Sequence, residues 1–342
     1  MMKMKTLLAA VLAGALSLSL AACSGPKTAE PTQQPTQEVF QGEDVRLAVL
    51  SGPTGIGAAK LLTDSDKDDT VNHYTYTVAT DNNEVVAGLT AADGEYDIAM
   101  VASNVAANLY NKTQGDVKIL ALGTQGVLHI LEGSNGTAIQ SMKDLKGKTI
   151  YATGQGANPE YILRHLLTEN GLDPDKDVEI VFADATEISA KLISGEIETA
   201  MLPVPAATAA IAKSQGSVRD AIDLTSAWND LDNGSQLIMS AVVARADFLA
   251  EHPQAVDAFL EEYEDSVTYV KENPEQAGQL VADLGIAPSA AIAQKAIPQC
   301  NLVFLSGADM KPAISGYYEV LYSIDPTAVG GKLPDDNIYY VP

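Results

Sequence analysis

The chain has 342 residues and is strongly acidic, with 21 lysines and arginines, 45 aspartates and glutamates and a formal net charge of −24. Because phosphate binding needs clustered lysines and arginines, this composition excludes nucleic acid as an expected partner. The sequence contains no P-loop, no G-x-S-x-G and no H-E-x-x-H, and its four histidines are scattered. We therefore expect no metal site, no cofactor and no catalytic residue.

The N-terminal residues predict an export signal. Lys3 and Lys5 precede an apolar run over residues 7–20, which is shorter than the roughly 20 apolar residues of a membrane-spanning helix. Alanines then lead directly to Cys23. This arrangement resembles the lipobox of bacterial lipoproteins, which implies a signal peptide over residues 1–22, cleavage before the cysteine and lipidation of its thiol. The alternative is a signal peptide followed by an incidental cysteine.

A polar segment follows over residues 23–43. It is rich in Pro, Thr, Gln and Glu and has almost nothing apolar to bury, so it is predicted to be a solvated, flexible tether. The globular part is predicted to begin at Asp44 and is long enough for two domains. With Cys23 lipidated, Cys300 has no disulfide partner and is expected to be a buried, inert thiol.

From Asp44 onward, short β-type runs alternate with helical patterns, which predicts an α/β fold with largely parallel sheets. The first predicted strands cover residues 45–50, 74–79, 96–101, 118–122 and 126–131. The first strand leads into a glycine-rich loop over residues 51–57, and apolar spacing predicts a helix around residues 85–89.

The same order of strand, loop and helix returns in the second part of the chain. Strands are predicted over residues 148–152, 178–182, 198–202 and 237–244. Asn158 is predicted to cap a helix that Pro159 begins and Gly171 ends. A long helix is predicted from Pro253, followed by further helices and an irregular tail over residues 326–342.

Two loops rich in small residues are the first candidates for a binding site. In open α/β sheets, ligands bind beyond the carboxyl ends of the strands, and glycine lets the backbone approach a ligand closely. The candidates are Ser51, Gly52, Pro53 and Thr54 in the first loop, and Gly154, Gly156 and Asn158 in the second. Their uncharged groups and free N–H groups would suit an anion or an acceptor oxygen. The alternative is that both loops are only tight turns.

Two more pairs of candidates follow predicted strands. Ser103 and Asn104 could contact a ligand, or one of them could simply cap the next helix. Pro203 and Pro205 could stiffen the wall of a cleft. Either proline, Pro205 above all, could equally be an ordinary proline of a first helical turn.

Three larger side chains complete the candidates. Glu160 and Tyr161 lie in the first turn of the helix after the second glycine loop, where a ligand could be contacted. Glu160 could instead only complement the helix dipole. Trp228, the single tryptophan, could stack on a flat ligand or fill the space at a hinge.

Five stretches of the chain carry a family resemblance. They are G-P-T-G-I-G at 52–57, Y-D-I-A at 96–99, L-G-T-Q-G-V-L at 122–128, G-K-T-I-Y-A-T-G at 147–154 and G-G-K-L-P-D-D at 330–336. In this order, after a lipobox and a polar tether, they resemble the solute-binding lipoproteins of bacterial ABC importers. The nearest group is the nitrate/sulfonate/taurine and thiamine-pyrimidine-precursor binding family. The resemblance spans about residues 44–340.

The resemblance implies a two-lobed, type II periplasmic-binding-protein-like fold with two interdomain crossings and C-terminal helices. Lobe 1 would comprise residues 44–124 plus 237–342, and lobe 2 residues 125–236. The family's ligand contacts would fall at Ser51, Gly52, Pro53, Thr54, Ser103, Asn104, Thr124, Gly154, Gly156, Asn158, Glu160, Tyr161, Pro203 and Pro205.

The same resemblance implies the function. The protein would be a monomer outside the cytoplasm, anchored to the cell membrane through lipidated Cys23. It would capture a small molecule and deliver it to an ABC permease and its ATPase. The pyrimidine-synthesising relatives carry a cysteine-rich metal motif that this chain lacks, so it is not expected to be an enzyme. The ligand stays open between a sulfonate-, nitrate- or taurine-like anion and a pyrimidine-type heterocycle.

Two other functions compete with transport. The first is a lyase-like enzyme on the same scaffold, for which Glu160 is the one residue that can be nominated. The second is a sensory receptor subunit that presents its closed form to a signalling partner. The sequence of this chain does not separate sensing from import.

Overall fold

The structure is a computed structural model that describes residues 40–91 and 94–342. The predicted signal peptide, Cys23 and most of the predicted tether lie outside the described residues. Within them, no helix combines the length and the apolar character needed to cross a membrane.

The strands alternate with helices along the chain, as predicted. The strands are β1 (Asp44–Leu50), β2 (His73–Ala79), β3 (Ile98–Ala102), β4 (Val117–Gln125), β5 (Leu128–Glu132), β6 (Thr149–Ala152), β7 (Glu179–Phe182), β8 (Thr199–Pro203), β9 (Arg219–Asp223), β10 (Ile238–Arg245) and β11 (Leu302–Ser306). The sequence missed β9 and β11. The apolar residues of β9 are adjacent and so do not alternate, and β11 is a short apolar run in a region with helical patterns.

The helices are α1 (Pro53–Ile56), α2 (Ala59–Ser65), α3 (Asn82–Thr90), α4 (Ser103–Lys112), α5 (Asn158–Glu169), α6 (Ala185–Ser194), α7 (Ala206–Lys213), α8 (Leu224–Asn229), α9 (Ala246–Glu251), α10 (Pro253–Glu272), α11 (Pro274–Asp283), α12 (Ala290–Ala296) and α13 (Met310–Ile324). Short 3₁₀ turns cover residues 142–145, 297–299, 307–309, 326–329 and 336–338.

The first sheet has six strands in the order β11-β4-β10-β3-β1-β2. Strands β1, β2 and β3 are parallel, and β10 is antiparallel to both β3 and β4, so β4 runs in the same direction as β1 and β3. The carboxyl ends of β1, β3 and β4 therefore share one edge. We call it the first edge, and it carries Ser51, Ser103 and Thr124. The register agrees, since Ser240 pairs with Ala102 on one side and Thr124 on the other.

The second sheet has five strands in the order β7-β6-β8-β5-β9. Strands β6, β7 and β8 are parallel, and β5 is antiparallel to β8 and β9. The carboxyl ends of β6 and β8 share a second edge, which carries the loop over residues 153–157, Asn158 and Pro203. The chain crosses between the sheets twice, over residues 126–127 and over residues 224–237.

The hydrophobic core covers both faces of the first sheet. Leu47 and Val49 belong to a cluster that includes Phe259 of α10, whereas Ala48 and Leu50 belong to another cluster. Successive side chains of a strand point to opposite faces, so β1 serves both clusters. This is why its sequence is almost continuously apolar rather than alternating.

Residues 40–43 belong to the predicted tether, but they pack against the fold. The peptide N–H of Glu43 donates to Asn72 Oδ1 at 3.2 Å, and its carboxylate pairs with His252. The Phe40 side chain packs against the hydrophobic core. The folded part therefore includes residues that composition assigned to the tether, because one aromatic ring counts little in an average over a polar segment.

Candidate functional site

The two edges meet at the starts of two helices. Asn158 Nδ2, at the start of α5, lies 3.5 Å from Ser103 Oγ at the start of α4. Because β4 continues into β5 after a short crossing, Thr124 on the first edge is also close in sequence to Leu128, which pairs with Pro203 on the second edge. The carboxyl ends of the two sheets therefore face each other, as a cleft between them requires.

Ser103 is fully buried at the first edge. Its hydroxyl donates to the carbonyl oxygen of Ile238 at 2.6 Å, and its own carbonyl accepts from the Tyr318 hydroxyl at 2.9 Å. It is the first residue of α4, and the residue before it, Ala102, provides no side-chain cap. Asn104 follows and is half-buried. Ser103 is thus fixed in place by β10 and α13 while the N–H groups at the helix start lack a side-chain cap.

Thr124 lies on the first edge as well, on the far side of β10 from Ser103. Its hydroxyl donates to Ser240 Oγ at 2.7 Å, and both residues are buried. Sequence reasoning missed Ser240, because it lies within an apolar run and no pattern singles it out. It also missed Tyr318, which reads as an ordinary core residue of α13.

The first glycine loop reaches the same edge from β1. The peptide N–H of Ser51 donates to the Ala79 carbonyl at 2.8 Å, and that of Gly52 donates to the Ile286 carbonyl at 2.9 Å. Residues 51–54 are half-buried. The loop is therefore fixed by its backbone, and the hydroxyls of Ser51 and Thr54 are not what holds it.

At the second edge, α5 begins one residue earlier than predicted. Ala157 occupies the cap position without a side-chain hydrogen bond, and Asn158 is the first helical residue. The predicted capping role of Asn158 is therefore wrong, because its amide group turns to Ser103 instead. Asn158 is only 3% exposed, and among the described residues its Oδ1 has no hydrogen-bond partner.

Glu160 and Tyr161 follow Asn158 and are already engaged. The Glu160 carboxylate accepts from Gly156 N–H and from Arg164 Nε, both at 2.8 Å. The Tyr161 hydroxyl lies 3.2 Å from Asp325 Oδ2. Burial, and then the Asp325 carboxylate, raise the pKa of Tyr161 above its ordinary value. Both side chains therefore brace the glycine loop and the start of α5.

Pro203 and Pro205 bracket a buried residue of the second edge. Pro203 ends β8, and Pro205 stands at the cap position of α7 after a cis peptide bond from Val204. The Val204 N–H donates to the Val127 carbonyl at 2.9 Å, and its side chain is buried in the cluster that includes Leu47. This segment lies at the junction of the two sheets, which is compatible with a stiff cleft wall.

Comparison with known proteins identifies the family. Residues 76–277 match the model of the family described as NMT1/THI5 like. The chain belongs to the NMT1/THI5-like family. A Brucella abortus protein whose name describes it as a binding protein is 28% identical over 174 residues, which are 51% of each chain. The chain thus spans about half the length of the curated relatives it matches.

Solved structures define the fold of this NMT1/THI5-like chain. A crystal structure of an ABC transporter from Parabacteroides distasonis has a TM-score of 0.71 at 24% identity, covering 87% of this chain and 98% of its own. The periplasmic aliphatic sulphonate-binding protein SsuA from Escherichia coli has a TM-score of 0.69 at 16% identity, covering 87% and 92%. These matches show the predicted periplasmic-binding-protein fold, with its two sheets and its C-terminal helices.

Trp228 is buried in the core of this NMT1/THI5-like fold. It is 1% exposed, and its Nε1 donates to Ser235 Oγ at 2.9 Å. Its ring centroid lies 4.8 Å from that of His165 on α5 and 5.6 Å from that of Tyr317 on α13. This packing fits the second alternative for Trp228, which is to fill the space at a crossing between the sheets.

Proposed function

We propose that this NMT1/THI5-like chain is a solute-binding lipoprotein outside the cytoplasm. It captures a small molecule between the first and second edges and delivers it to an ABC permease and its ATPase. The observation that carries the proposal is the contact between Asn158 and Ser103, because it brings together the ligand-binding ends of two α/β sheets. The similar structures include an ABC transporter and a sulphonate-binding protein, which supports a role in import.

The two crossings supply the motion that capture needs. Residues 126–127 and 224–237 connect the sheets, so opening and closing can occur by hinge rotation of one sheet with its helices against the other. In this proposal lobe 1 comprises residues 44–124 plus 237–342 and lobe 2 residues 125–236. The lobes act as a monomer, tethered to the membrane through lipidated Cys23.

The polar groups at the opposed edges are uncharged. Ser103, Thr124 and Asn158 provide hydroxyl and amide groups, the start of α4 provides N–H groups, and the start of α5 provides the N–H of Asn158. The nearby Glu160 carboxylate is bound to Arg164, so it does not leave a free charge at the edge. Such a site suits a neutral molecule or one that carries a single charge, whether a taurine-like sulfonate or a pyrimidine-type heterocycle.

We infer binding rather than catalysis from the same residues. Glu160 is the one nominee for a catalytic acid or base, and each of its carboxylate oxygens already accepts a hydrogen bond. A general acid or base must instead reach a proton of the substrate. The ligand is therefore expected to leave the protein chemically unchanged.

Ligand binding can be tested with the single tryptophan as a reporter. We expect one probe among taurine, ethanesulfonate, nitrate and 4-aminopyrimidine to raise the Tm and change Trp228 fluorescence, since Trp228 contacts α5, which begins at the second edge, and α13, which packs against β10 of the first sheet. At about 100 times Kd, binding stabilises by about 2.7 kcal/mol.

Trp228→Phe is the matched control: it should remove the fluorescence change and keep the thermal shift. The proposal fails if none of these probes, nor any molecule of a metabolite library, stabilises the protein. Appearance of a product after incubation with the bound probe would show an enzyme instead.

A further inference from the structure

We propose that Asn158 reads a hydrogen-bond donor on the captured molecule, an inference that rests on the proposed function. The ligand class is then a small molecule with an O–H or N–H group beside an acceptor group. Molecules that offer acceptor oxygens alone, such as nitrate and unsubstituted alkanesulfonates, are disfavoured.

The orientation of the Asn158 amide follows from counting protons at Ser103. A serine hydroxyl has one hydrogen to donate, and that of Ser103 goes to the Ile238 carbonyl at 2.6 Å. Ser103 Oγ can therefore only accept from Asn158. The group that lies 3.5 Å from it must be Nδ2, and Oδ1 must point elsewhere.

Asn158 Oδ1 is consequently an unpaired hydrogen-bond acceptor among the described residues. Asn158 is only 3% exposed, and no described residue donates a hydrogen bond to its Oδ1. Buried polar atoms without a partner are rare in folded proteins and carry a desolvation penalty. In this proposal the penalty belongs to the arrangement in which the edges touch, and separation of the edges would let water reach Oδ1.

A ligand with a donor removes the penalty, and one without a donor does not. The helix starts add the complementary half of the site. Neither helix has a side-chain cap; α4 presents N–H donors, and α5 presents the N–H of Asn158, since Pro159 has none and that of Glu160 donates to Ala157. The recognised pattern is thus an acceptor that meets the helix starts and a donor that meets Asn158 Oδ1. Closure on such a ligand satisfies both halves.

The test uses probes that differ in one group. Ethanesulfonate has no donor, isethionate adds a neutral O–H, and taurine adds an N–H with a positive charge. Comparing ethanesulfonate with isethionate therefore tests the donor without a change in the charge of the ligand. Pyrimidine and 4-aminopyrimidine form the corresponding heterocycle pair. By isothermal titration calorimetry we expect the donor-bearing member of the bound class to bind roughly tenfold tighter or more.

Three variants assign the preference to Asn158. Asn158→Leu removes the acceptor and should reduce the preference to below about threefold. Asn158→Asp keeps an acceptor oxygen and should therefore keep the preference. If Asn158 acted only by donating to Ser103, Asn158→Leu and Asn158→Asp would both lose the preference. Asn170→Leu is the matched control, because Asn170 follows the last residue of α5 and its side-chain amide donates to the Leu166 carbonyl of that same helix. It should bind like the wild type.

The outcomes separate this inference from the proposed function. If ethanesulfonate binds as tightly as isethionate and taurine, or if the donor preference survives in Asn158→Leu, the inference fails and capture of a solute stands. If no probe of either class binds, the inference fails, and the proposed function fails with it only when the metabolite library also yields no ligand. Circular dichroism and Tm of each variant check that it folds, and Asn158→Ala, which also removes the acceptor, carries the comparison if Asn158→Leu does not fold.

Discussion

At the scale of single residues, Glu132 shows how one buried carboxylate fixes a loop. It is 5% exposed and accepts from the N–H groups of Ala138 at 3.1 Å and Ile139 at 3.3 Å, and it pairs with Arg219. Gly136 allows this close approach, since a Cβ there would lie 2.7 Å from the carboxylate. The loop after β5 is thus wrapped around a single acidic group.

We predict that Glu132→Gln lowers the free energy of unfolding by about 2 kcal/mol, because a hydrogen-bonded charge partner of Arg219 is lost in a buried place. Urea denaturation measures it. The control is Glu187→Gln, which breaks an exposed i,i+4 pair with Lys191 and should cost less than about 0.5 kcal/mol. Equal effects of the two changes would contradict the assignment.

Asn158 shows the limit of predicting the role of a single residue from its local sequence. Its position before Pro159 favours a helix cap, and its place in the glycine loop makes it a ligand-binding candidate. The structure moves the helix start by one residue and turns the amide to Ser103, which is 55 residues away in the chain. Rules based on neighbouring residues cannot predict Ser103 as the partner of Asn158, because the two residues meet only when both sheets are assembled.

At the scale of elements, the C-terminal tail is bound to α4 by side-chain amides. Asn111 Nδ2 donates to the carbonyl oxygens of Val329 at 2.6 Å and Lys332 at 2.7 Å. Asn108 Nδ2 donates to the Thr327 carbonyl at 3.1 Å. The tail after α13 was predicted to be irregular; it contains 3₁₀ turns at residues 326–329 and 336–338, and these hydrogen bonds join it to α4.

We predict that Asn111→Ala destabilises the protein by about 2 kcal/mol and Asn108→Ala by about 1 kcal/mol, in proportion to the hydrogen bonds lost. Thermal denaturation gives the two values, and limited proteolysis should cut the tail of Asn111→Ala first. A tail that stays resistant in Asn111→Ala would show that other contacts hold it.

Helices and strands were predicted best where the apolar periodicity is long or where an apolar run has clear ends. The helix from Pro253 appears as α10, and the strand after Asp44 appears as β1. Strand β9 was missed because its two apolar residues, Ala221 and Ile222, carry no periodicity. It becomes a strand because β5 offers it an edge to pair with.

At the scale of the whole molecule, two histidines give stability opposite dependences on pH. Burial lowers the pKa of His165, against a smaller opposing effect of Glu169. For His129, burial also acts to lower the pKa, but Asp220 and Asp223 together raise it above its ordinary value. The folded state therefore resists protonation at His165 and favours it at His129.

The signs follow from linkage. As pH falls below about 6.5, the unfolded chain protonates His165 more readily than the folded chain does, so stability is lost. His129 contributes stability that is present below about pH 6.5 and is lost as pH rises through its raised pKa. Between about pH 7.5 and 5.5, we expect His165→Gln to lose less stability than the wild type and His129→Gln to lose more. Urea denaturation at each pH measures both, and identical slopes would contradict the prediction.

The sequence by itself determined the α/β class and most strands, because apolar runs and glycine loops are local properties of the chain. The order of its motifs indicated the family, and the resemblance in turn implied the two crossings. Tertiary structure alone decided what the polar residues do. Whether Asn158 caps a helix or meets Ser103, and whether Glu160 is free or held by Arg164, depends on which groups lie within hydrogen-bonding distance. A hydrogen bond acts over about 3 Å, so its partner is fixed only once distant segments have packed.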